Sequence, residues 1–178
     1  RGLGDVYKRQ SLGAAWYLPE ERQLTTTEQM KDEICAALGG RAAESLFFDK
    51  VSTGALSDLE KVTKQAYAMV SIYGLSPKLG NISYYDSSGQ NSGFTKPYSE
   101  ERAKLIDSEV SKLIEEQYNR ALKVLKDNKK KVEELANALL SNEVIFKDNL
   151  VSIFGARKWT SYHEEKLEEE ELKTKNKK

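Results

Sequence analysis

Two carboxylates are the residues of this chain most able to do chemistry. Asp58 lies in VSTGALSDLEKVTKQAYAMV (51–70), where a Ser-Thr-Gly turn runs into a helical pattern. Glu44 lies in GGRAAESLFF (39–48), one predicted element earlier. A carboxylate in the first turn of a helix has two physically sound uses. It complements the positive end of the helix dipole, worth about 0.3–1 kcal/mol at an exposed site, or it offers oxygen to a cation. Ser57 and Glu60 have the spacing of a capping box. That predicts Ser57 as the N-cap and leaves Asp58 unneeded for capping. Periodicity alone favours the dipole role. Glu44, read the same way, is a surface glutamate or a partner for Arg41.

Other site classes are closed by composition. The 178 residues contain one histidine, His163, within YHEEKLEEEE. A catalytic triad with an imidazole base, or a metal site with several histidines, cannot be built from it. Cys35 is the only cysteine, so no intrachain disulfide exists, and its apolar setting EICAAL reads as a small buried side chain. Basic and acidic residues balance at 28 each, which gives no global field to attract nucleic acid or an anionic membrane. Lys129, Lys130 and Lys131 point in different directions around a helix and make no basic stripe. No phosphate-binding loop and no GxGxxG occurs. No run approaches the ~20 apolar residues of a membrane span, and RGLGDVYKRQ (1–10) is no signal peptide.

The elements that must position the two carboxylates are mostly helical. LGAAWYLP (12–19) is apolar and ends at a proline, so it reads as a short strand, with Trp16 and Tyr17 packing on the core. Thr25 and Glu28 predict a capped helix start. Met30, Ile34, Leu38, Ala42 and Leu46 then recur at helical spacing. Gly39 and Gly40 interrupt that stripe; its continuation predicts one helix with a neighbour packed too closely for side chains there. Leu59, Val62, Ala66, Met69 and Tyr73 form the face of the next helix, with Gly74 and Pro77 as its stop. Residues 80–97 are rich in Gly, Ser and Asn and read as a loop or irregular hairpin. A long helix from Ser99 to about Lys126 follows, with Ala103, Ile106, Val110, Leu113, Gln117, Ala121 and Leu125 on one face. A second covers about 129–141, with Val132, Leu135, Ala136 and Leu139 expected inward, and KDNLVSIFG forms a last turn with Asp148 as its cap. The fold class is therefore mainly α, with one or two short strands near the N-terminus.

The order and spacing of LGAAWYLPEERQLTTTEQM, GGRAAESLFF, VSTGALSDLEKVTKQAYAMV, YGLSPKL and GFTKPYSEE strongly resemble the peptidase domain of the FtsH family of ATP-dependent zinc metalloproteases. The likeness runs from about Leu12 to about Trp159. It implies a membrane-anchored AAA+ protease that assembles as a homo-hexamer. Such a protein uses ATP and Mg2+ at an ATPase module to feed unfolded and membrane proteins to a zinc peptidase. The family holds Zn2+ with two histidines of an H-E-x-x-H helix and one distant aspartate in an S-T-G-A-x-x-D-L segment. That segment stands here as STGALSDL, which assigns the metal ligand to Asp58. Glu44 matches a family glutamate close to the metal, in a supporting role. Gly13, Ala14, Ala15, Trp16 and Tyr17 match the family's edge strand, which pairs with extended substrate.

The departures from the family are as specific as the likeness. No H-E-x-x-H occurs in these residues, so no catalytic residue of that motif is present in this chain. Residues 1–10 do not match the family and read as a non-native leader. Residues 11–159 read as the peptidase domain without its H-E-x-x-H helix, and 160–178 as a charged, disordered or frayed tail. The expectation is a C-terminal portion that is inactive alone. The complete protein would sit in a bacterial inner membrane, with the peptidase on the cytoplasmic side. The membrane attachment and the ATPase lie elsewhere in that protein, and nucleic acid is not a partner. The alternative is a non-catalytic helical oligomerisation or interaction module, built on the long helices from 99 to 141.

Overall fold

The computed structural model describes residues 24–85 and 98–156. The expected strand at 12–19, with Gly13, Ala14, Ala15, Trp16 and Tyr17, lies outside the described residues, as do the 1–10 leader and the 160–178 tail. The described residues form six α-helices and no strand, so the chain is mainly α. In chain order these are α1 (Thr27–Ala37), α2 (Gly39–Phe48), α3 (Leu56–Tyr67), α4 (Glu100–Asp127), α5 (Lys129–Asn142) and α6 (Lys147–Phe154). A 3-10 turn, Thr53–Ala55, leads into α3, and a π-helical turn, Ala68–Ile72, continues it.

Helix α4 is the spine. At 28 residues it is about 42 Å long. Ser99 caps it by accepting a hydrogen bond from the Arg102 amide at 3.3 Å. Its face of Ala103, Ile106, Val110, Gln117 and Ala121 is buried, as the spacing predicts. Helices α1, α2 and α3 all pack against it. Ile34 from α1, Leu38 between α1 and α2, Val62 from α3 and Ile106 from α4 are the largest fully buried side chains among the described residues. Each contributes about 1.5–3 kcal/mol by leaving water. Around them sit Ala42, Ala66, Met69, Val70 and Leu79. Arg120 of α4 pairs with Asp32 of α1 at 2.6 Å, but both are half exposed; a pair of that kind adds about 0–1 kcal/mol.

Several local expectations change by a residue or a turn. The first helix is capped by Thr26, not Thr25. The Thr26 hydroxyl accepts from the Gln29 amide at 3.3 Å, and the Gln29 side chain accepts from the Thr26 amide at 2.8 Å. Both Thr25-x-x-Glu28 and Thr26-x-x-Gln29 satisfy the pattern, so spacing could not choose. The single helix expected through Gly39 and Gly40 is instead two, hinged at Leu38 (φ −77°, ψ −8°). Backbone bonds run through the hinge, from Leu38 to Ile34 and from Ala42 to Leu38, both at 3.0 Å. The core stripe therefore continues across it. No close neighbour explains the glycines, because a Cβ on either meets nothing within 4 Å among the described residues.

Gly74 differs from that pair. It closes the π-turn at φ +63°, and an added Cβ would lie 3.4 Å from the backbone N and O of Ile82. That approach comes with a hydrogen bond from the Tyr84 amide to the Ser71 carbonyl at 2.8 Å. The expected outcome is opposite signs for one substitution. Gly74→Ala destabilises by about 1–2 kcal/mol, since the left-handed conformation penalises any Cβ. Gly39→Ala or Gly40→Ala stabilises by up to about 1 kcal/mol through helix propensity. Urea denaturation of the three variants checks this. A stabilised Gly74→Ala would mean that this residue does not hold a left-handed conformation in the folded protein.

Beyond Gly74, Ser76 and Lys78 bind Glu109 of α4, with Lys78 Nζ at 2.6 Å and Ser76 Oγ at 3.2 Å. Lys78 holds the Glu109 carboxyl below its usual range. Tyr84 and Tyr98, which flank residues 86–97, meet edge to face with centroids 5.0 Å apart. Helices α5 and α6 pack mainly on each other. Val132 and Leu135 are only half-buried, Ala136 and Leu139 are exposed, and no residue of α5 is fully buried. The inward face expected for this helix is thus apolar but largely uncovered. Helix α6 is not capped by Asp148, which lies in its first turn. Asn149 Oδ1 instead accepts from the Phe146 amide at 3.0 Å.

Candidate functional site

The segment between α2 and α3 decides how Asp58 is presented. Ser52 is extended (φ −116°, ψ 175°), and its hydroxyl accepts from the Gly54 amide at 3.2 Å. This caps the 3-10 turn, which is anchored by buried Ala55. The Leu56 amide bonds back to the Thr53 carbonyl, and α3 grows directly from the turn. Its N-cap is Ala55, with no side-chain cap of its own. Ser57 is therefore inside the helix, and the expected Ser57 cap is replaced by Ser52 one turn earlier. The reason is local. The 3-10 turn already lies in the helical direction when the chain reaches Ser57, so Ser57 does not have the extended backbone that an N-cap hydroxyl needs. Glu60 pairs instead with Lys64 at 2.5 Å.

Asp58 lies in the first turn of α3 and is exposed. Its carboxylate has no hydrogen-bond or ion-pair partner among the described residues. It caps nothing. The helix-end charge favours an anion there, and the carboxylate oxygens are open to an added cation.

Glu44 is on α2, with its side chain about a quarter exposed. Its two oxygens are both engaged by one residue. Oε2 accepts from the Ser52 amide at 3.1 Å, and Oε1 accepts from the Ser52 hydroxyl. Arg41, one turn back on α2, lies 3.8 Å from Oε2. The Ser52 hydrogen bonds hold the Glu44 carboxyl below the usual carboxylate range, and Arg41 adds a smaller push in the same direction. Sequence reasoning named Glu44 and Asp58 but missed Ser52, which lies between them in the chain. The available signal was Ser52-x-Gly54 ahead of a helix, the pattern of a serine accepting from an amide two residues on.

Asp58 and Glu44 do not form a metal cage. Among the described residues no group of three His, Cys, Asp or Glu side chains is placed to hold a metal ion. Asp58 fits one oxygen donor of such a site. An open cleft of about 660 Å3 runs between α1 and α3, lined by Ser57 and Lys61 but not by Asp58. Its acids are already paired, Glu33 with Gln65 at 2.7 Å and Glu60 with Lys64. Both carboxylates that line it are therefore engaged. Cys35 is half-buried, and burial raises its thiol, which makes it a poor nucleophile.

The sequence matches Peptidase family M41 over residues 6–153. It is 60% identical over 173 residues to the ATP-dependent zinc metalloprotease FtsH of Parabacteroides distasonis, covering 97% of this chain and 25% of that protein. It is 59% identical over 145 residues to the protein of the same name from Karelsulcia muelleri, covering 81% of this chain and 23% of that one. The mouse mitochondrial inner membrane m-AAA protease component AFG3L1 is 43% identical over 152 residues, covering 85% of this chain and 19% of that protein. The chain thus spans about a quarter, or less, of the length of these relatives.

Proposed function

Because the chain belongs to peptidase family M41, as the peptidase domain of an FtsH-type protein, we propose that it provides the carboxylate ligand of a zinc site that hydrolyses peptide bonds. The observation that carries this reading is Asp58. It is exposed in the first turn of α3, without a partner among the described residues, in the segment STGALSDL. A bound zinc ion supplies Lewis acidity, lowering the pKa of a water and polarising a scissile carbonyl. The chain's own part is to hold one carboxylate at a fixed place on a rigid helix. The two imidazoles and the general-base glutamate come from an H-E-x-x-H helix of the longer protein. Gly13, Ala14, Ala15, Trp16 and Tyr17 pair with the substrate main chain.

Around this site the complete protein is an ATP-dependent, membrane-anchored endopeptidase. It hydrolyses ATP with Mg2+ at a separate module and takes unfolded and membrane polypeptides as substrates. Its peptidase faces the cytoplasm of a bacterial inner membrane. Among the described residues no helix is long and apolar enough to cross a membrane. A homo-hexameric assembly is supported by the surface of α5 and of the turn into α6, where Leu140 is 82% and Phe146 70% exposed; apolar surface of this kind suits subunit contact. The same surface is what favours the second reading, a helical interaction module without chemistry.

The test uses both lengths of protein. The intact protein loses peptide hydrolysis on chelation and regains it with zinc. The 178-residue chain, with one histidine, shows no chelator-sensitive hydrolysis even with zinc added. Chelator-resistant turnover by the intact protein would remove the zinc reading. Turnover by the chain alone would show that its ligand set is larger than Asp58.

A further inference from the structure

We propose that Ser52 and Glu44 are positioning residues for Asp58, acting as a clamp on the 3-10 turn from which α3 starts. The proposal rests on the reading of Asp58 as a zinc ligand. Three observations carry it. Helix α3 has no side-chain cap, so the direction of its first turn is inherited from Thr53–Ala55. That turn is capped by the Ser52 hydroxyl on the Gly54 amide. Ser52 is in turn held from another helix, because both oxygens of Glu44 accept from it, one from its amide and one from its hydroxyl.

The Ser52 hydroxyl thus donates to Glu44 and accepts from Gly54, using both sides of one oxygen. Without the carboxylate its proton has no fixed acceptor, and the hydroxyl can rotate away from Gly54. The turn would then fray, and with it the place where Asp58 points. Metal sites are sensitive to such support, since losing an outer hydrogen bond that orients a ligand lowers metal affinity by about 10–100-fold. Glu44 accordingly acts through the turn, with one hydrogen bond from Ser52 to each of its oxygens.

The test has a metal-free and a metal-loaded arm. In the 178-residue chain, amide hydrogen exchange is followed at Gly54, Ala55 and Leu56 for Ser52→Ala, Glu44→Gln and Ser52→Thr. Exchange at these amides rises about tenfold or more in the first two, the size expected for a lost cap, and stays near wild type in Ser52→Thr, which keeps the hydroxyl. In the intact protein, Ser52→Ala and Glu44→Gln each weaken zinc affinity by about 10–100-fold. They lower kcat at subsaturating zinc, leave KM for peptide unchanged, and leave the global unfolding midpoint near wild type. The double variant is no weaker than the worse single one, and Ser52→Thr restores affinity. Unchanged exchange at Gly54 overturns the clamp. So does raised exchange with zinc affinity unaltered. Loss of zinc in Glu44→Gln but not in Ser52→Ala would make Glu44 a ligand and overturn the positioning role. Asp58→Ala separates the two levels. Full zinc affinity in that variant overturns the ligand reading itself, whereas the exchange results report on the clamp alone.

Discussion

Replacing Asp58 by alanine in the intact protein is expected to abolish zinc retention and to lower peptide hydrolysis by at least about a hundredfold, with the fold unchanged. The lower bound follows from outer hydrogen-bond partners, whose loss alone costs about 10–100-fold; a direct ligand contributes more. The fold is expected to survive because Asp58 is exposed, has no partner among the described residues and does not cap its helix. Only the favourable interaction with the helix end is lost, about 0.3–1 kcal/mol. Glu60→Ala is the matched control. It removes a carboxylate from the same helix, one paired with Lys64 at the surface, and is expected to leave zinc content and turnover intact. Metal analysis of purified variants, together with a fluorogenic peptide assay, reads both effects. Stoichiometric zinc in Asp58→Ala would end the assignment. Equal losses in both variants would point to a general effect of acidic charge.

The largest stability effect is expected at Ile106. Its side chain is 1% exposed and lies on α4 in the core shared by α1, α2 and α3. Ile106→Ala removes buried methyl groups at a place where four helices limit collapse, and a loss of about 2–5 kcal/mol follows. That is a large share of the stability of a typical domain, about 5–15 kcal/mol. Leu140→Ala deletes a similar volume from α5 at a residue 82% exposed, and a change within about 0.5 kcal/mol is expected. Urea unfolding of the 178-residue chain measures both. A loss below about 1 kcal/mol at Ile106 would place that side chain outside a close-packed core.

The sequence by itself determined most of the helices, though not the break at Leu38, and the identity of the ligand candidate. Ser99 and the spacing of Ala103, Ile106, Val110, Gln117 and Ala121 located α4 and its buried face. Gly74 marked the end of α3 and its π-turn because a positive φ is nearly reserved for glycine. STGALSDL singled out Asp58. Tertiary structure decided the matters that depend on residues distant in the chain or on competition between near-equal local choices. Thr25 and Thr26 both fit a capping box, and only the bonds made to Gln29 distinguish them. Ser57 lost its capping role to Ser52 because a 3-10 turn precedes it and runs directly into the helix. Val132, Leu135, Ala136 and Leu139 share an apolar face that the fold leaves largely uncovered, since periodicity shows that a face is apolar but not whether a partner meets it. Glu44 is the sharpest case. Its distance from Ser52 along the chain carries no signal of contact, and only the return of the chain after α2 places the Ser52 amide and hydroxyl against one carboxylate.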